Sequence, residues 1–188
     1  MIVHSRIVEY TSVDNRDHLE VTAHLRDLRP WHDEQPVLHD LALHVSVRKA
    51  DAVILRARAE MSAFPHVECP EIEEAFRGLE GMVVGPGFNR RVQERFGGPA
   101  GCAHLVQLAL GLGPAASQAL MSARVHELEA GQPVSTDSGT PPQPIDSCHV
   151  WAAGGPAPQK VALGWRPGGK VPAPRPEALR GGEAPASA

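Results

Sequence analysis

Near the start of the chain, apolar and polar residues alternate with a period of two. Leu19, Val21, Ala23 and Leu25 interleave with Glu20, Thr22, His24 and Arg26. Leu41, Leu43, Val45 and Val47 interleave with Ala42, His44 and Ser46, and Val53, Leu55, Ala57, Ala59 and Met61 with Arg56, Arg58 and Glu60. A strand with one face buried produces this pattern, because successive side chains point to opposite faces. Residues 2–10, with Arg6 and Glu9 among Ile2, Val3, Ile7 and Val8, give a weaker version. Turn residues at Asp14-Asn15-Arg16-Asp17, Arg29-Pro30 and Lys49-Ala50-Asp51 separate the runs, and the shortest connection makes its neighbours an antiparallel hairpin. Strands are therefore predicted at residues 2–10, 19–28, 40–48 and 53–61.

After Phe64-Pro65 the period becomes that of a helix. Ile72, Phe76 and Leu79 share one helical face, Phe88, Val92 and Phe96 a second, and Leu105, Leu108, Ala109 and Leu112 a third. Gly113-Pro114 interrupts the last stripe before an alanine-rich continuation over 115–123. These spacings predict helices within 70–80, 88–96 and 103–128. Eleven of the eighteen prolines lie beyond Gly131. An irregular connection is expected there, followed by a small hairpin of residues 148–152 and 161–165, and then a disordered Pro/Gly/Ala-rich tail over 167–188. The result is an α+β architecture, with an antiparallel sheet of about four strands, a three-helix layer and a small C-terminal hairpin. Residues 1–130 form the core domain and 131–166 pack on it.

Composition narrows the function without naming it. The net charge is −4 and no basic stripe appears, which argues against nucleic acid as a partner. No apolar run reaches the roughly 18–20 residues of a membrane span, and the N-terminal residues do not read as a secretory signal. A cytoplasmic location follows as the expectation, with the three cysteines reduced.

The cysteines lie at element boundaries rather than inside apolar stripes. Cys69 precedes Pro70, Cys148 precedes His149, and Cys102 stands two residues before His104 where the longest helix begins. A helix N-terminus favours the thiolate, the form that attacks electrophiles and binds metals. Three readings stay open. In the first, thiolates of Cys69, Cys102 and Cys148 with an imidazole of His104 or His149 hold zinc, iron or an iron–sulfur cluster. In the second, Cys102 is a metal-free nucleophile toward an acyl or thioester group. Residues two apart on a helix do not face each other, so His149 or His39 is then the expected base. In the third, Cys69 and Cys102 are small core residues and the chain is an interaction module, with a homodimer or protein partner on the alanine-rich helix 115–123.

Arg6, Asp27, His39-Asp40, Pro65 with Cys69, Gly101-Cys102-Ala103-His104-Leu105 and Asp146-Ser147-Cys148-His149 follow one pattern along residues 1–166. It resembles an uncharacterised bacterial domain-of-unknown-function family whose hallmark is Gly-Cys-Thr-His-Leu, with Ala103 here in place of the threonine. The order of strands, strand-entry Asp, cysteine and thiol/imidazole pair is also similar to iron–sulfur scaffold proteins of the IscU/NifU type. That second resemblance implies Asp40, Cys69, Cys102 and His104 as ligands and leaves Cys148 without a counterpart.

Overall fold

A computed structural model describes residues 1–130, 145–146 and 148–164. Four strands, β1 (Ser5–Asp14), β2 (His18–Leu28), β3 (Val37–Arg48) and β4 (Ile54–Ala63), form an antiparallel meander in the order β1-β2-β3-β4. A 3-10 helix (Cys69–Leu79), α1 (Phe88–Phe96) and α2 (Ala103–Glu129) follow. The predicted α+β class and all four strands are thus present. The chain divides into two units, Met1–Ala123 and a second that begins at Arg124.

Strand parity decides what the first unit buries. Leu19, Val21, Ala23 and Leu25 of β2 and Leu41, Leu43, Val45 and Val47 of β3 are all buried. With Phe76, Leu79, Phe88, Val92, Phe96, Leu105, Leu108 and Leu112 they belong to one apolar core. Full burial of such side chains contributes about 1.5–3 kcal/mol each, which is why the chain's period-2 and period-3.6 stripes face one another. Residues opposite each other in an antiparallel pair share a face. Through the registers Val8↔Leu25 and Tyr10↔Ala23, β1 turns Val8 and Tyr10 toward the same side.

Two expectations need correction. On β4 the inward residue is Ile54, and Leu55 is exposed. The register passes from Val47↔Ile54 to Val45↔Ala57, so β4 carries one residue more than β3 there. That bulge reverses the parity of Val53 and Leu55 relative to Ala57, Ala59 and Met61. Among the described residues the expected C-terminal hairpin is also absent. His149–Trp151 is a 3-10 turn, and α3 (Pro156–Ala162) takes in Val161 and Ala162, where the second strand was to begin. Gly155 precedes the helix and Pro156 opens it, a start that suits proline because the missing N–H had no helical partner. A short apolar run like Val161-Ala162-Leu163 fits a helix as well as a strand. The connection expected over 136–144 and the tail expected over 167–188 lie outside the described residues.

Candidate functional site

Asp27 continues the inward series Leu19, Val21, Ala23, Leu25, so β2 places a carboxylate where a core side chain would stand. Its side chain is 2% exposed. A buried carboxylate requires partners, and the neighbouring elements supply them. On β1, Arg6 is in register with Asp27. Its Nε donates to Oδ1 at 2.6 Å and its Nη2 to Oδ2 at 2.7 Å. This two-point fork is the strongest geometry a guanidinium and a carboxylate can adopt. On β3, His39 is in register with Asp27 and its Nδ1 lies 3.1 Å from Oδ2. From α2, His104 Nε2 lies 3.6 Å from the same Oδ2. His4 Nε2 is 3.3 Å from Oδ1.

One stripe of α2 carries the helix side of this arrangement. Residues 104, 107, 108 and 111 are neighbours on one helical face. His104 reaches Asp27, Gln107 Oε1 accepts from Arg6 Nη1 at 2.9 Å, and the Leu108 carbonyl accepts from the Tyr10 hydroxyl at 3.1 Å. Gly111 lets the helix come this close, because a Cβ there would fall on the Tyr10 hydroxyl. The two imidazole rings meet with centroids 4.0 Å apart at 39°.

The electrostatics follow from burial and neighbours. The Arg6 guanidinium, with help from His39, holds the Asp27 carboxyl below its usual range against the opposing effect of burial. Burial first, then His39 and Arg6, push His104 below the ordinary imidazole value, and Asp27 only partly opposes them. Near neutral pH the centre therefore presents one carboxylate, one guanidinium and a neutral His104 ring. Asp27, His39 and His104 each offer a donor atom within 4.8 Å of the others, the metal-capable group among the described residues.

The sequence-predicted residues divide sharply against this centre. His104 belongs to it. Asp40 does not: it pairs with Arg26 on the opposite face of the sheet. There it accepts from Arg26 Nε at 2.8 Å and lies 2.6 Å from His24 Nε2. Burial pushes its carboxyl up, and the bonds from His24 and Arg26 outweigh that and hold it below its usual range. Cys69, half-buried at the start of its 3-10 helix, packs at the edge of the apolar core and joins no metal-capable group. Cys148 and His149 are exposed and lie in the second unit.

Cys102 stands just outside α2, its carbonyl accepting from Val106 N at 2.8 Å. Its Sγ is 3.8 Å from His104 Nδ1. The expectation that residues two apart cannot face each other thus fails, because Cys102 is not helical and its side chain is free to lie over the ring. In the nucleophile reading the adjacent imidazole within the first unit is therefore His104, rather than His39, which is committed to Asp27. Asp27 and His39 were missed as a pair, although the sequence held a signal for them. Each is the next inward position of an apolar alternation, after Leu25 and before Leu41.

Among the described residues, no helix is long and apolar enough to cross a membrane. A family model described as Protein of unknown function (DUF2889) matches residues 4–118. The match spans more than half of the chain and covers every residue of the centre, from His4 and Arg6 to Gln107. It stops short of the 146–149 segment that the wider resemblance had included. No curated protein and no solved structure matches the chain.

Proposed function

The chain belongs to this family of unknown function, and we propose that its members' shared domain here serves as a single-ion metal centre. Asp27 Oδ2, His39 Nδ1 and His104 Nε2 would be the ligands, with zinc or ferrous iron as the ion. The carrying observation is the convergence of both imidazoles on one buried carboxylate oxygen, at 3.1 and 3.6 Å. Donors bound at about 2.0–2.1 Å to one ion are separated by roughly 2.9 Å in an octahedron and 3.4 Å in a tetrahedron. The observed spacings fall on either side of the tetrahedral value. Two imidazoles and one carboxylate suit zinc or non-haem iron and leave positions open for water or substrate. An iron–sulfur cluster needs thiolates, which this donor set lacks. His104 is kept neutral by burial, as a ligand must be. Arg6 would fix the Asp27 carboxylate through its two-point fork, the role of an outer partner in known metal sites.

Titration of chelator-stripped full-length protein with zinc and cobalt(II) tests this reading. One equivalent should bind. Asp27→Asn, His39→Ala and His104→Ala should each weaken binding more than the roughly 10–100-fold typical of an outer partner. Asp40→Asn, Cys69→Ser and Cys148→Ser should leave it unchanged. Retention of full affinity in the two histidine variants would sink the reading.

A second reading rests on the 3.8 Å approach of Cys102 Sγ to His104 Nδ1, with Asp27 beyond the ring's other nitrogen. Thiol, imidazole and carboxylate in series is the arrangement of an activated nucleophile toward acyl or thioester groups. The depressed basicity of His104 weighs against it, because a poor base draws the thiol proton weakly. Alkylation of Cys102 no faster than of Cys69 and Cys148 in metal-free protein would exclude it. Both readings suit a reducing cytoplasm, where the three free cysteines stay as thiols.

A further inference from the structure

On the other side of Gln107, residues of α1, α2 and the turn between them line an open cleft of about 380 Å³. Phe96, Ala103, Val106 and Leu110 supply apolar walls, and Gln93 and Gln107 supply amides. Gln107 belongs to both places: it lines the cleft and its Oε1 accepts from Arg6 Nη1. The volume lies within the range of small-molecule sites, which are typically apolar with a few placed polar groups.

The charges of the centre call for an anion. A divalent ion brings two positive charges, and Arg6 cancels the one negative charge that Asp27 contributes. The loaded centre thus keeps two positive charges with no protein anion among its named groups to balance them. Arg6 has five N–H groups and donates three bonds here, two to Asp27 and one to Gln107. Its side chain is 36% exposed, so part of the guanidinium-bearing chain faces solvent. An anionic head at the open metal position beside Arg6, with an apolar body reaching past Gln107 into the cleft, satisfies both halves of the geometry.

We infer that the centre binds a small monocarboxylate with an apolar chain or ring, the carboxylate at the metal and Arg6 and the hydrocarbon in the Phe96–Leu110 cleft. This rests on the metal reading and adds the ligand class to it. A carboxylate is favoured over phosphate because an apolar cleft rewards a hydrocarbon body, which inorganic phosphate lacks.

The test uses full-length protein loaded with cobalt(II), whose absorption reports on its coordination, with calorimetry for affinity. The probes are acetate, butyrate, hexanoate and inorganic phosphate at fixed ionic strength. Carboxylates should change the cobalt spectrum, and affinity should rise by about fourfold for each CH2 buried. Leu110→Trp, which fills the cleft, should abolish the chain-length gain while acetate and cobalt binding persist. Arg6→Lys should weaken every carboxylate. Affinity independent of chain length, phosphate binding tighter than hexanoate, or unchanged hexanoate binding in Leu110→Trp would overturn the inference while leaving the metal centre standing. Failure to take up cobalt at all would instead overturn the metal reading, and the inference with it.

Discussion

His39 and His104 bring their rings within 4.0 Å of each other, yet 65 positions separate them and they ride on different layers of the fold. His39 is fixed by the register of β3 against β2, which sets it opposite Asp27. His104 is fixed by the placement of α2, whose stripe from His104 to Gly111 lies along β1 through Gln107–Arg6 and Leu108–Tyr10. The centre is therefore a joint between sheet and helix. Changes that loosen either layer should be felt at the Asp27 centre before they unfold the domain.

Arg6→Ala should destabilise the domain by about 2 kcal/mol or more at pH 7. It strips the bidentate partner from a buried carboxylate, and breaking a fully buried pair costs roughly 3–5 kcal/mol. The lower figure applies because Arg6 is partly exposed. Arg6→Lys should recover part of the loss, since it keeps the charge and loses the fork. Asp27 has its folded pKa depressed, so its contribution is complete above the unfolded value near 3.8 and fades as pH falls through the folded value. Urea unfolding curves of wild type and Arg6→Ala should therefore converge in acid. A gap that stays constant down to pH 2 would contradict the assignment.

His104 sets a pH dependence at the opposite end of the carboxylate range. Its folded pKa lies below the ordinary imidazole value of 6.5, so between the two values the unfolded chain binds more protons than the native one. Stability must then fall as pH drops from about 6.5 toward the folded value and flatten below it. His104→Asn should show a shallower fall between pH 7 and 5, as read by urea midpoints at each pH. Equal slopes in variant and wild type would mean that His104 titrates normally.

Much of the fold was legible because burial imposes a period. Leu19 to Leu25 and Leu41 to Val47 each need one dry face, and Phe88, Val92 and Phe96 need one helical stripe, so strands and helices followed from spacing alone. The turn of parity at Ile54 was hidden, because a bulge depends on pairing with β3 and leaves no mark on composition. The candidate site was half legible. His104 stood out beside Cys102 at a helix start, but the cysteines drew attention to local neighbours, whereas the centre is built by register. Asp27 meets His39 because hairpin pairing sets residues of opposite strands side by side. Asp40, one position on from His39, is thrown to the other face by the same period of two.

Cys102 offers a clean separation between ligand and neighbour. Its Sγ faces Nδ1 of His104, whereas Asp27 and the proposed ion face Nε2. As a partner that orients the ring, it should tolerate Cys102→Ala with metal affinity reduced about tenfold, the lower end of the effect of outer partners. As a ligand, its loss would remove binding and, in cobalt-loaded protein, the sulfur-to-metal charge-transfer band. We expect no such band in the wild type. Its presence would return Cys102 to the first coordination sphere and displace the Asp27, His39, His104 set.

Gly111 tests whether the close approach of α2 to β1 positions the centre. Alanine is the better helix former by about 1 kcal/mol, so in a helix free of neighbours Gly111→Ala would stabilise. Here its Cβ meets the Tyr10 hydroxyl and ring, and the helix or the tyrosine must move. Overpacking of this kind costs typically 1–3 kcal/mol, enough to outweigh the helix gain. The Leu108–Tyr10 bond should be lost as well. Because His104 and Gln107 share that stripe, a displaced helix draws them away from Asp27 and Arg6. Gly111→Ala should thus lower metal affinity although it touches no ligand. Tyr10→Phe in the same chain removes the hydroxyl and should restore part of both stability and affinity. Calorimetric titration and urea unfolding of the two single variants and the double variant measure this as a coupling between the sites. If Gly111→Ala alone binds metal as tightly as wild type, the approach of α2 to β1 at Tyr10 does not set the position of His104.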